Sequence, residues 1–440
     1  MSPPAEPGDG GLARTYAQVL LAAFGIGGAV APDGLHPALA WRRSGLMAVT
    51  GRSDGPARVV PAALTAAADG ALAALRALAP SARLPNNGWA LPGERARLLG
   101  LGRHGSVSAN ETCHLLAAND GILALNLARP DDWTLLPALF RTSSVDRSVI
   151  GTLVAEQPVV DLVARGRELG LPISSAAAVP RAPAIPIQVK QFAEPRASTA
   201  RPLVVDLSSL WAGPLAGALL ALAGADVIKV ESKHRPDGAR GGNCAFFDLL
   251  NAGKRSVVLD FGDLQDLVLL RTLLSRADIV IEGSRPRALA QLGIDAQTVA
   301  QGGATWLSIT AYGREGDAAH WVGFGDDVAV AGGLATAMSE GWGEVLFAGD
   351  AIADPLTGMV AALAGLASWR TGGGRLVSVP MVSVIGHALA LYRPGADERA
   401  QWQVMAEADD KPLVSLRVAP GRARPAGADT AWAGATFAST

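Results

Sequence analysis

The chain has 440 residues, which at about 150 per domain predicts two to three domains and allows more than one sizeable core. Its 49% of AVILMFWYC residues against 18% charged residues excludes a disordered or solvating chain. A formal charge of -2 provides no overall basic field for nucleic acid, so any anion must be caught locally. Mean hydropathy is +0.25. Yet the longest uncharged stretches, residues 211–225 and 355–369, carry internal Gly or Pro and fall short of the roughly 20 apolar residues of a spanning helix. They predict core helices and no membrane partner. The opening MSPPAEPGDGG lacks the basic and apolar regions of a signal peptide. The only two cysteines, Cys113 and Cys244, form no metal-ligand spacing, so no metal is expected, and a reducing cytoplasm is the expected compartment.

In chain order, residues 1–13 read as a Pro- and Gly-rich disordered lead. Residues 14–84 are Ala-rich and helical, broken by a turn near 50–56, and ADGALAALRALAP predicts a helix stopped by Pro80. Residues 85–198 mix short elements and form a small α+β domain: GILALNLA (121–128) predicts a strand, DDWTLLPALF and PVVDLVARGRELG predict helices. The Pro-rich stretch AVPRAPAIPIQVK (178–190) is the best domain boundary. Beyond it, apolar runs at LVVDL (203–207), DVIKVE (226–231), SVVLDF (256–261), DIVIEG (278–283), TWLSIT (305–310) and LVSVP (376–380) alternate with helical segments. Strands with little polar alternation, separated by helices, predict an α/β fold with a parallel sheet covered on both faces over residues 199–392. Residues 393–440 form an extension whose polar end, beyond about Ala419, is expected to be loose.

A gapless internal repeat lays residues 44–78 on residues 332–366, with Gly45, Leu46, Gly55 and Gly70 falling on Gly333, Leu334, Gly343 and Gly358. Two short motifs carry little. GLGRHG (100–105) has the letters of a dinucleotide loop, but a helical segment precedes it and a loop follows. GRSDG (51–55) has the letters of a nucleophile elbow, but Pro56 stands where the helix should start. The six histidines include no i,i+4 ligand pair.

The sheet domain holds the productive motifs. DLSSLWAGPLAG places Trp211, Ala212 and Gly213 after the first strand's carboxyl end, where α/β sheets bind ligands. Lys229, Lys233, Arg235 and Arg240 surround the second strand, Lys254 and Arg255 precede the third, and Arg285 and Arg287 follow the fourth. Bases on successive loops could converge on one phosphate-bearing ligand, although singly each is more often a solvated charge.

GADVIKVE, LNAGKRSVVLD, ADIVIEGSRP and AYGREG, in this order and spacing, resemble the class III CoA-transferase family, with alpha-methylacyl-CoA racemase as a relative. The resemblance runs from about Pro202 to Tyr392. It implies a Rossmann-like large domain, a smaller second domain and a homodimer with its site between subunits. It implies acyl-CoA and a carboxylic acid acceptor as partners, with CoA as substrate and carrier and no other cofactor. The family's nucleophilic aspartate lies in a D-x-x-x-G segment, which IADPLTG matches with Asp354 and Gly358. A carboxylate at a helix start is favoured by the dipole and by N–H groups, and can attack a thioester to form a mixed anhydride. Without the resemblance, Asp354 reads as a helix cap beside Pro355, and Asp350 is the rival nucleophile. Trp211 stands where formyl-CoA transferases carry glutamine, which counts against formate and oxalate. Phe324 stands where the racemases carry histidine, which counts against racemisation. A racemase or isomerase pairing Asp354 with another base such as His320, and a catalytically silent CoA-binding protein, are the alternatives. Two departures from the family pattern stand out: the small domain precedes the large one, and Ala66 falls on Asp354 in the repeat.

Overall fold

The computed structural model describes residues 10–176, 183–197 and 200–437. Its small sheet is antiparallel, in the order β1 (Cys113–Ala117), β2 (Ile122–Asn126), β3 (Ile173–Ser175). The large sheet comprises β4 (Gln188–Gln191), β5 (Leu203–Asp206), β6 (Asp226–Ser232), β7 (Arg255–Leu259), β8 (Ile279–Glu282), β9 (Thr305–Thr310) and β10 (Arg375–Pro380). Their spatial order is β4-β10-β9-β8-β5-β6-β7. The pairings are parallel except β4 with β10, which are antiparallel with Arg375 opposite Gln191. The mixed α/β class with a parallel-dominated large sheet follows from the continuous apolar runs, because both faces are covered.

Successive residues of one strand point to opposite faces, and the two cores divide accordingly. Val204, Val227, Ile279, Ile281, Leu307 and Val377 join the larger core with the helices Ala212–Leu222 and Ala353–Arg370. Val205, Ile228, Val257, Val280 and Trp306 join the other with the helix Leu264–Arg276. The small domain keeps a separate core around Leu123, Leu125, Phe140 and Leu162. It is pinned to the large domain by Asn126 Nδ2 donating to Asp327 Oδ1 at 2.9 Å and Ser174 Oγ to the Asp327 carbonyl at 2.7 Å.

The two repeat segments carry the same succession of elements. One constant offset carries the helix Pro37–Arg43 onto Gly325–Ala331, start and end alike. It carries the short 3-10 turn Leu46–Val49 onto the start of Leu334–Trp342, each preceded by a left-handed glycine, Gly45 at φ 87° and Gly333 at φ 98°. The helices Leu64–Leu78 and Ala353–Arg370 then overlap, and they pack on each other. Each also carries a helix crossed at a glycine. A Cβ on Gly70 would lie 2.3 Å from the Ala13 carbonyl oxygen in the helix Gly11–Ala22, and one on Gly358 would lie 2.6 Å from the Ala212 carbonyl oxygen. Ala66 lies in a small apolar cluster with Leu12, Ala13 and Ala63, against Leu391 and Tyr392.

Three expectations change. The helix Gly11–Ala22 begins inside the expected lead, whose first nine residues lie outside the described residues. The 178–190 boundary, partly outside them too, ends in β4, an edge strand of the large sheet. The described part of the tail, up to residue 437, is tied down: Asp429 Oδ2 accepts from the Ser256 N–H at 2.8 Å and Thr430 Oγ1 from the Val258 N–H at 3.0 Å, where the helix Thr430–Phe437 starts. Those side chains satisfy the outer N–H groups of the edge strand β7, which would otherwise invite another strand.

Candidate active site

Asp354 occupies the first turn of Ala353–Arg370 and remains partly exposed. The backbone N–H groups of Ala212 and Gly325 are directed at its carboxylate, and each opens another helix. Three helix N-termini therefore face one carboxylate, an arrangement in which dipoles and unpaired N–H groups favour negative charge. The approach is close: a Cβ on Gly325 would fall 2.2 Å from Asp354 Oδ2, so only glycine fits. Burial nonetheless pushes the Asp354 carboxyl up to about 6, with the Arg95 guanidinium and the Ala212 N–H opposing that rise.

The loops entering two of these helices are strained. Leu210 has φ 70° and Ala351 has φ 40°, left-handed conformations that cost a branched or Cβ-bearing residue free energy. A buried carboxylate holds each in place: Asp237 Oδ1 accepts from the Leu210 N–H at 2.9 Å, and Asp326 Oδ1 from the Ala351 N–H at 2.9 Å. Asp350 is fully buried and gripped by Arg95, Nε to Oδ2 at 2.7 Å and Nη2 to Oδ1 at 2.5 Å. It is the counter-ion of Arg95, which leaves Asp354 as the accessible carboxylate. Arg95 also lies 4.8 Å over the ring of Trp211, which meets Phe246 edge-on. The buried carboxyl of Asp326 is pushed up to about 7 by burial and then by the Asp350 charge.

A cavity of about 1470 Å³ opens between the small domain and the carboxyl-end loops of the large sheet. Arg129 and Arg167 line it from the small domain, and Arg235, Arg285 and Arg287 from the loops. The Arg285 guanidinium is pulled below its ordinary range by burial first, then by the positive charges of Arg287, Arg129 and Arg235. Arg129 is paired with Asp132 and other acids line the cavity, but the positive charges that converge on Arg285 are what a polyanion would relieve. Arg129, on the cavity wall, has its guanidinium 5.8 Å from the ring of Phe324, the residue before Gly325, and Asp354 is not among the residues that line the cavity. His320 is exposed on the cavity wall.

The expected phosphate ligands divide. Arg235 and Arg285 do meet in the cavity, but Lys233 stays outside its lining, exposed near Asp260 at 3.7 Å. Lys254 is a correction. It is buried, with Nζ on Asp206 Oδ2 at 2.8 Å, on the Pro214 carbonyl at 2.8 Å and on Asn251 Oδ1 at 3.2 Å, and burial pushes its ammonium down to about 8. It ties β5 to the start of the Ala212 helix instead of facing solvent. Arg255 is another: it stands at the amino end of β7, paired with Asp226 at 2.5 Å and stacked 4.2 Å from Trp432. Lys229, likewise buried, bonds Asp237 and the Ser208 carbonyl, and Arg240 pairs with Glu231. Arg95, Arg129 and Arg167 were not singled out by sequence: Arg95 meets Asp350 and Arg167 meets Trp321 only through the fold, and Arg129, paired with Asp132 three positions on, reads as an ordinary local ion pair. Lys254→Met is expected to destabilise the fold by about 3–5 kcal/mol, since Asp206 would keep a buried charge without its counter-ion. Denaturant unfolding measures this, and an unchanged midpoint would contradict the burial described here.

Residues 202–410 match the family model described as CoA-transferase family III. The chain is 33% identical over 206 residues to the succinate–glutarate CoA-transferase of Agrobacterium fabrum, covering 42% of this chain and 52% of that one. It is 28% identical over 207 residues to the acetyl-CoA:oxalate CoA-transferase of Acetobacter aceti, covering 43% and 53%. The crystal structure of a hypothetical protein from Mycobacterium tuberculosis is 30% identical and covers 45% of this chain and 57% of that one, with a TM-score of 0.40. The chain thus spans about half the length of the curated relatives it matches. Among the described residues, no helix is long and apolar enough to cross a membrane. Residues 202–410, just under half of the chain, are thus the segment that is similar to CoA-transferase family III.

Proposed function

We propose that this protein is an acyl-CoA:carboxylate CoA-transferase that works through covalent intermediates on Asp354. The observation that carries the reading is the partly exposed Asp354 carboxylate at the junction of three helix N-termini. One Asp354 oxygen attacks the thioester carbonyl, the C–S bond breaks, and CoA thiolate leaves behind an aspartyl–acyl anhydride. The thiolate then attacks the aspartyl carbonyl, the donor acid departs, and the enzyme holds CoA as a thioester. An acceptor acid reverses both steps and regenerates the carboxylate. The N–H groups of Ala212 and Gly325 are placed to stabilise the oxyanions formed at the aspartyl carbonyl.

Arg235, Arg285 and Arg287, which line the cavity, supply the charge for the phosphates of CoA, and in this reading the thioester end extends beyond the cavity to Asp354. The strand order supports the finer Rossmann-like reading: taken from β5 onward, the six parallel strands run third, second, first, fourth, fifth, sixth, with β4 added at the edge. A homodimer and a cytoplasmic location belong to the same reading. Phe324, preceding Gly325, offers no proton acceptor, so nothing favours racemisation over transfer.

Incubation with succinyl-CoA and glutarate, the acids in the relatives' names, followed by peptide mass spectrometry, tests the reading. A mass adduct on the Asp354 peptide is expected. Its absence with a panel of acyl-CoA thioesters would leave a CoA-binding protein, and deuterium exchange at the alpha carbon would instead mark a racemase. Arg235→Ala and Arg285→Ala are expected to raise KM for acyl-CoA about tenfold or more with little change in kcat, because phosphate contacts hold ground and transition states alike. Unaltered KM in both variants would place the CoA phosphates elsewhere.

A further inference from the structure

Arg95 reaches the site from a part of the chain outside the matched segment: it lies 255 positions from its partner Asp350. Its helix, Glu94–Leu99, is fixed from outside the large sheet, since Glu94 is held by Arg417 at 2.7 and 2.6 Å. The guanidinium touches both loops that carry the strained residues. It grips Asp350, four positions before Asp354, and covers Trp211, which precedes the N–H of Ala212. We propose that Arg95 is a positioning residue of the Asp354 site, clamping these two loops through Asp350 and Trp211 and bringing a positive charge into the site.

The surrounding charges make that role specific. Asp326 faces the site from the helix Gly325–Ala331, Asp350 from the loop before Asp354, and Asp327 stands next to Asp326, bonded to Asn126. Buried Cys113 of β1 lies within the field of Asp326 and Asp327. Arg95 acts on Asp326 and Asp354 as well as on Asp350. Burial works against the charged form of Asp354, and among the charges Arg95 is the largest opposing influence, ahead of the unfavourable Asp350. An ion pair serving stability alone would leave the Asp354 titration where it is.

The role of Arg95 rests on the proposed use of Asp354, but its test does not require turnover. In protein labelled with carboxyl-13C aspartate, the Asp354 resonance is assigned by its loss in Asp354→Asn and titrated by NMR. Arg95→Gln is expected to move this titration up by about one to three pH units, and Asp350→Asn to move it down, because Arg95 then has no competing counter-ion. Arg95→Lys should lie near the parent, retaining charge without the bidentate grip. The double variant Arg95→Gln/Asp350→Asn, free of any orphaned charge, should lie above the parent by less than Arg95→Gln alone, and it serves where a single variant fails to fold. The acid limb of adduct formation should follow the same order. Titrations that coincide, or that move in one direction for both single variants, would overturn the role of Arg95. An adduct on another residue would overturn the proposed function and leave this result standing.

Discussion

Asp354→Asn is expected to form no adduct and to lose transfer by a factor on the order of 10⁴ or more, as removal of a covalent nucleophile does. Its stability should change in an unusual sense. The carboxyl of Asp354 is raised in the folded protein, from the ordinary 3.8 to about 6, chiefly by burial. Folding therefore prefers the protonated acid, and the stability it contributes is lost as pH rises from about 4 to above 6. At pH 8 the charged group is a liability on the order of 1 kcal/mol, after allowance for its partial exposure. The asparagine variant should thus melt no lower than the parent at pH 8, and any advantage should vanish near pH 4. Thermal melts at the two values, run beside the transfer assay, check both signs. Normal turnover in Asp354→Asn would remove the assignment altogether.

Truncation to residues 199–440 is expected to yield an aggregating, inactive product although Asp354 is retained. The helix Ala353–Arg370 is buried around nearly its whole circumference. On one side it meets the helix Ala212–Leu222, and on another the helix Leu64–Leu78 from the N-terminal half. Removing the latter bares a strip of apolar side chains, each worth about 1.5–3 kcal/mol when covered, and such a strip promotes association. The truncation also deletes Arg95 and leaves Asp350 buried without a cation. Size-exclusion chromatography and the transfer assay would decide the matter. A soluble, active fragment would mean that the N-terminal half serves some other purpose.

The large sheet was legible because a strand covered on both faces must be apolar throughout, as in LVVD and IVIE. IADPLTG was legible by itself only as a capped helix start, and it was the family resemblance that singled out Asp354 within it. The basic loops were legible only as residues, not as directions. Lys254 and Arg285 look alike in sequence, yet one is satisfied by Asp206, 48 positions earlier, and the other faces like charges across a cavity. Arg95 has no local signature, since its meaning comes from Asp350 and Trp211. The end of the chain misled because its polar side chains, Asp429 and Thr430, cap a strand edge where an apolar pattern would not be needed.

The matching helix successions of Pro37–Leu78 and Gly325–Arg370 have a consequence for how this protein could change over generations. In a pair of identical chains, symmetry copies every substitution, so a gain on one side is mirrored on the other. Here the two successions are encoded separately. Position 66 holds an alanine walled in by Leu12 and Tyr392, while its counterpart, position 354, holds an aspartate. A lone arginine could likewise be recruited from one side only, with no duplicate left to find a counter-ion. Two successions encoded in one polypeptide are free to differ in this way, one position packing an apolar cluster and its counterpart presenting a carboxylate.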